Sequence, residues 1–203
     1  MDGSKGIKII LLGESGVGKT NLINITVGKE FDPYTNSSLT SSFIENIFEY
    51  KDKKYLYCLW DTAGQERFRS LNQIFIKGSK IIMVVFSIEN QNSFEQIQYW
   101  INYAKEVLGK EKYILALVAN KSDLFEEQVV PDDDIINAAK EYNIKYVITS
   151  ACSDAAGFRL FVNELIKDYI ELIGPVAEKR LYFKLNDEGE DNNNNNTKGK
   201  KCC

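Results

Sequence analysis

The string Gly-Glu-Ser-Gly-Val-Gly-Lys-Thr over residues 13–20 is the first stretch of this chain whose residue types could do chemistry. It fits the pattern G-x-x-x-x-G-K-[ST], a loop that cradles phosphates. Gly13, Gly16 and Gly18 permit backbone conformations that a side chain would block. The amide N–H groups along the loop and into the next helix, through Ser15, Val17 and Asn21, can then turn inward as an anion nest. The Lys19 ammonium reaches the β- and γ-phosphates, and the Thr20 hydroxyl can ligate Mg²⁺.

Asn-Lys-Ser-Asp over residues 120–123 is the second such string. A carboxylate at Asp123 can accept two N–H bonds, from guanine N1 and its 2-amino group. Adenine offers neither donor there and would leave the carboxylate unpaired, which discriminates strongly. Asn120 can brace the loop, and the Lys121 stem can lie over the base. Ser150, Ala151 and Cys152 follow a later apolar run, and the Ala151 N–H could reach guanine O6. Phe31, 12 residues beyond Lys19, could cover the base edge-on or pack in the core. The third string, Asp-Thr-Ala-Gly-Gln over residues 61–65, suits a Mg²⁺ ligand acting through water at Asp61. Within it the Gly64 N–H can meet a γ-phosphate, and Gln65 can orient the attacking water.

These residues need elements to position them. Apolar runs at 7–12, 43–50, 55–60, 81–86, 113–119 and 146–149 read as strands, several of them continuous enough for a buried parallel sheet. A hairpin is expected at Asp52-Lys53. Helical spacing marks residues 18–27, 93–108, 132–142 and 158–173, with Gly174-Pro175 ending the last. Alternating strands and helices imply a parallel sheet covered on both faces. Ligands then bind outside the carboxyl ends of the strands, and each string above follows a strand directly.

In order and spacing, the strings resemble the Ras superfamily. Trp-Asp-Thr-Ala-Gly-Gln-Glu-Arg-Phe over residues 60–68 and the terminal Cys-Cys are similar to its Rab branch, with the likeness spanning about residues 6–173. The resemblance implies an α/β P-loop NTPase fold, a six-stranded mostly parallel sheet with five helices. It implies a GTP-on, GDP-off cycle in vesicle transport, and slow hydrolysis unless a GTPase-activating protein assists. Switch segments are expected near residues 32–42 and 63–78. Mg²⁺ would sit on Thr20 and Ser38, with Asp61 acting through water. Phe43, Trp60 and Phe75 match the aromatic trio that Rab proteins present to effectors, although each could instead be a core aromatic. A nucleotide exchange factor, a Rab escort protein and a GDP-dissociation inhibitor complete the implied partners. Four departures stand out. Ser38 replaces the usual threonine, Thr40 a glycine and Cys152 a lysine, and Ser15 stands where Ras itself has a glycine, which is ordinary for Rab proteins. The altered first switch motivates an alternative, a slow or non-hydrolysing GTP-bound scaffold that recruits effectors.

The bulk composition narrows the remaining possibilities. The chain has 203 residues, 44% hydrophobic, enough for one domain (1–175) and a flexible tail (176–203). Its net charge of −4 gives no reason to expect nucleic-acid binding. The absence of histidine excludes imidazole-based triads. Cys58 and Cys152 are isolated and expected to be buried or semi-buried free thiols. No signal peptide or membrane-spanning run is legible, so a reducing, cytosolic setting and a monomer are expected. Five asparagines at 192–196, an acidic stretch at 187–191 and Lys198, Lys200 and Lys201 mark the tail. Cys202 and Cys203 would carry two geranylgeranyl groups on the resemblance, each buried CH₂ contributing roughly 0.8 kcal/mol to membrane binding.

Overall fold

Inward and outward side chains alternate along the apolar strands and supply two separate cores, one on each face of a single sheet. The computed structural model describes residues 6–33, 42–61, 72–178 and 181–184. Its strands are β1 (Ile7–Leu12), β2 (Ser42–Tyr50), β3 (Lys53–Asp61), β4 (Ile81–Ser87), β5 (Ile114–Asn120), β6 (Lys145–Ile148) and β7 (Tyr182–Lys184). Its helices are α1 (Lys19–Thr26), α2 (Asn72–Ile76), α3 (Gln91–Glu95), α4 (Ile97–Leu108), α5 (Asp132–Tyr142) and α6 (Ala155–Glu178). The sheet order is β2-β3-β1-β4-β5-β6, with β7 joined to β3. All neighbours are parallel except β2 and β7, which run antiparallel to β3.

On one face Ile7, Ile9 and Leu11 of β1 pack with Leu22 of α1 and with Phe158, Leu165 and Ile166 of α6. On the other, Ile10 and Leu12 pack with Ile76 of α2, Trp100 and Ile101 of α4 and Ile135 of α5. Five parallel strands therefore end at one edge, at Leu12, Asp61, Ser87, Asn120 and Ile148. The antiparallel β2 begins there, with Ser42 opposite Asp61.

The described fold is the expected mostly parallel α/β sheet with helices on both faces, and it differs from the expected elements in three local places. The helix expected over 93–108 is two helices, because Asn90 caps a short α3 by accepting the Ser93 N–H (3.0 Å) and Gln96 then ends α3 and starts α4. Gly174 does interrupt α6, with φ 73° and ψ 173°, but a further turn follows it to Glu178. Pro175 suits that turn, since proline's fixed φ and missing N–H fit a helix start. The third departure is β7, from a stretch without assigned structure in the sequence. It pairs Tyr182 with Tyr55 and Lys184 with Lys53. Since β2 pairs the other edge of those β3 residues, and β1 meets β3 only from Tyr57 onward, β7 lies on β1's side beyond its start. The hairpin turn is Lys51-Asp52, one residue earlier than expected, with φ of 51° and 57°. Those angles at both central residues make it the two-residue turn whose twist matches paired strands.

Candidate functional site

The loop after β1 is shaped by what its glycines approach. Gly13 has φ 146°, and a Cβ there would run into the Val85 carbonyl oxygen. Gly18, at φ 93°, opens α1, and its Cβ would run into Asn120 Nδ2. Only glycine therefore lets the loop lie this close to β4 and β5. The Lys19 side chain is 5% exposed and folds back under the loop, its ammonium donating to the carbonyls of Gly13 (2.8 Å) and Glu14 (2.7 Å). This holds a fixed positive charge at the start of a helix whose dipole also favours anions. Val17 puts its side chain in the core, Ser15 is half-buried and Gly16 exposed. The Glu14 carboxylate accepts the indole N–H of Trp100 (3.2 Å), tying the loop to α4.

Thr20, in the first turn of α1, and Asp61, at the end of β3, come together: the Thr20 hydroxyl donates to Asp61 Oδ2 at 2.9 Å. Asp61 is 2% exposed. Two hard oxygen donors beside a phosphate cradle fit Mg²⁺, which keeps water and phosphate oxygens as its other ligands. Ser38, Gly64 and Gln65 lie outside the described residues.

A second cluster gathers at the ends of β5 and β6. Asn120, 1% exposed, spans three segments: its Nδ2 donates to the Val17 carbonyl (2.8 Å), and its Oδ1 accepts the Ala151 N–H (3.1 Å). The Ala151 N–H, expected to face guanine O6, is thus already engaged, and a base carbonyl there would share it in a three-centre bond. The Ser150 hydroxyl donates a short bond to Asp123 and accepts the N–H groups of Cys152 and Ser153, both at 3.0 Å. Asp123 is thereby aimed through one oxygen. Two corrections follow. Asp123 is exposed, so the burial that makes a mismatch costly would come from the base itself. Cys152 is exposed too, whereas Cys58 is buried, because Cys152 sits on a surface turn.

Lys121 adopts φ 66° and directs its ammonium to Glu89 Oε1 at 2.5 Å. Glu89 belongs to none of the three motif strings, although it lies two residues past β4 at the strand edge where they gather. Phe31 is 37% exposed, so it is not a core residue. The adjoining Asp32 is clamped to α1, its carbonyl accepting from Asn21 Nδ2 (3.0 Å) and its N–H reaching Asn21 Oδ1 (3.4 Å).

A model of the Ras family matches residues 8–171. The Ras-related protein Rab-21 of Geodia cydonium is 33% identical over 168 residues, which cover 83% of this chain and 72% of that protein. The chain belongs to the Ras family of small GTPases. It is of the Rab type, and enzymes of this family hydrolyse GTP to GDP.

In this small GTPase, Phe43, Trp60 and Phe75 also come together. Phe43 and Trp60 are register partners across β2 and β3 and stack at 5.0 Å between ring centroids. Phe75 follows at 6.3 Å from Trp60. Phe43 is 54% exposed, and the other two are half-buried against the core. Lys8 lies 4.7 Å from the Trp60 ring centroid, and burial, followed by the charge of Lys80, lowers its pKa. The Lys8 ammonium also donates to the Lys77 carbonyl just after α2. Cys202 and Cys203 lie outside the described residues, and no described helix is long and apolar enough to cross a membrane.

Proposed function

We propose that this Rab-type GTPase cycles between a GTP-bound active and a GDP-bound inactive state to regulate vesicle-mediated transport. The observation that carries the reading is the convergence, at one sheet edge, of the Lys19 loop, the Thr20–Asp61 pair and the Asn120–Asp123–Ser150 cluster. Lys19 and the loop amides hold the β- and γ-phosphates and meet the charge that develops during transfer. Thr20, Ser38 and Asp61 would hold Mg²⁺, which neutralises phosphate charge when bound. Asp123 reads the guanine edge while Lys121 and Phe31 border the base. Gln65 orients the attacking water. No arginine stands in the phosphate loop, so turnover is slow until an activating protein contributes groups of its own.

The switch segments respond to the γ-phosphate and present Phe43, Trp60 and Phe75 to effectors in the GTP state. The first two aromatics project from paired strands and Phe75 from α2, within the second switch. Geranylgeranyl groups on Cys202 and Cys203 hold the active form on the cytoplasmic face of intracellular membranes. An escort protein delivers the lipids, an exchange factor reloads GTP, and a GDP-dissociation inhibitor keeps a cytosolic pool. Lipidation is tested by incubating the full chain with a Rab escort protein, Rab geranylgeranyl transferase and a geranylgeranyl donor, then sedimenting it with vesicles. The wild type gains two lipids by mass and sediments. Cys202→Ser with Cys203→Ser gains none and stays in the supernatant. Equal sedimentation of the two proteins contradicts the anchoring.

A further inference from the structure

Glu89 lies in the turn Ser87–Asn90, closed by the Asn90 N–H on the Ser87 carbonyl at 3.0 Å. Neighbouring bonds fix this turn in place. The Ser87 N–H donates to the buried Ser93 hydroxyl (3.0 Å), which in turn donates to the Asn90 carbonyl (2.7 Å). The Ile88 N–H donates to the Asn120 carbonyl at 3.1 Å, so the turn is stitched to the residue just before Lys121. From this base the Glu89 carboxylate accepts the Lys121 ammonium at 2.5 Å and the Ser87 hydroxyl at 3.4 Å. The two charged side chains are 26% and 29% exposed, so the pair is sheltered at the site rim rather than spread on the surface.

A lysine stem has four rotatable methylenes and wanders when its ammonium is only solvated. Here both ends of the stem are fixed: the backbone end by a left-handed conformation (φ 66°, ψ 36°) in the loop that carries Asp123, the ammonium end by Glu89. A stem held at both ends is a ready-made apolar ledge. Its ordering has been met before any base arrives, which slows the departure of whatever lies against it.

We propose that Glu89 is a positioning residue for guanine-nucleotide retention, acting through Lys121 to hold the lysine stem as one wall of the base site. This inference rests on the guanine reading of residues 120–123. It commits to a charge-dependent effect that requires the lysine. Removing the Glu89 charge should speed nucleotide release by about 3- to 10-fold, the range for losing one ordinary hydrogen bond between part-exposed groups.

The test follows dissociation of a fluorescent GDP analogue, mant-GDP, from the full chain. It compares the wild type, Glu89→Gln, Lys121→Met and the double variant at low and high salt, with thermal unfolding of each in parallel. Methionine keeps an apolar stem without the ammonium. The expected result has three parts. Release from Glu89→Gln is several-fold faster than from the wild type. The double variant releases no faster than Lys121→Met alone. High salt hastens release from the wild type more than from Glu89→Gln. Unchanged release from Glu89→Gln overturns the proposal. So does an effect of Glu89→Gln that persists undiminished on the Lys121→Met background, since Glu89 would then act on the fold and not on the lysine. A wild type that retains no mant-GDP at all is a separate outcome, one that defeats the guanine reading itself and this inference with it.

Discussion

At the scale of single residues, the guanine end of the site shows how small groups divide labour. Asn120 is a brace: its amide joins the phosphate loop to the Ser150–Ala151 turn. Ser150 holds Asp123, the residue proposed to read the base. Replacing Asp123 with Asn exchanges an acceptor for a donor facing the 2-position of the base. Preference should then move from guanine toward xanthine nucleotides, by on the order of 100-fold or more, as measured by competition of GDP and XDP for the purified variant. An unaltered preference for guanine would mean that Asp123 does not contact the base. The two internal thiols, Cys58 and Cys152, make a second residue-scale prediction. Burial, followed by the charge and the hydrogen bond of Glu45, pushes Cys58 up to about 11. At pH 8 only about one Cys58 in a thousand is then thiolate, the reactive form. Iodoacetamide at that pH should label the exposed Cys152 well before Cys58, by peptide mass mapping, with Cys58 labelling rising as pH approaches 11. Equal labelling of both in the folded protein would contradict the assigned burial. Most of this site was legible because loop chemistry at strand ends is written in short strings. Glu89 and the Glu14–Trp100 contact were not, because each depends on two segments far apart in sequence meeting in space.

Among the elements, legibility follows length and period. The central strands β4 and β5 are unbroken apolar runs, and α5 runs over the residues its acidic first turn and apolar spacing predict. The strand β7 has three residues and no period of its own, and exists only as a partner for the edge of β3 that β1 leaves uncovered. The α3–α4 break is equally invisible to periodicity, since the apolar stripe runs on through Gln96 while Asn90 caps the first turn. The β2–β3 turn offers an element-scale prediction. Asp52 sits at φ 57°, a conformation that costs an L-residue with a Cβ about 1 kcal/mol and that glycine adopts freely. Asp52→Gly should therefore stabilise the protein by roughly 0.5–1 kcal/mol, raising Tm by about 1–4 °C. A lower Tm by calorimetry would show that the Asp52 side chain contributes more than its backbone strain costs.

Across the whole molecule, the two cores have one job in common. They fix five parallel strand ends at one edge of the sheet, so that Lys19, Asp61, Glu89, Asn120 and Ser150 gather there from separate segments. Strand direction, and with it this edge, was legible from the alternation of strands with helices. The lateral order β2-β3-β1-β4-β5-β6 was not, because no local pattern encodes which strands become neighbours. A ligand that touches all these segments binds the folded chain alone and so stabilises it by mass action. GTP cycling is tested by loading the purified full chain with GTP and Mg²⁺ and following the bound nucleotide over a single turnover by chromatography. One guanine nucleotide per chain is expected, with GTP converting slowly to GDP while bound, and faster when an activating protein is added. A chain that retains GTP unhydrolysed even with activating proteins, or that holds no guanine nucleotide, would contradict GTP cycling.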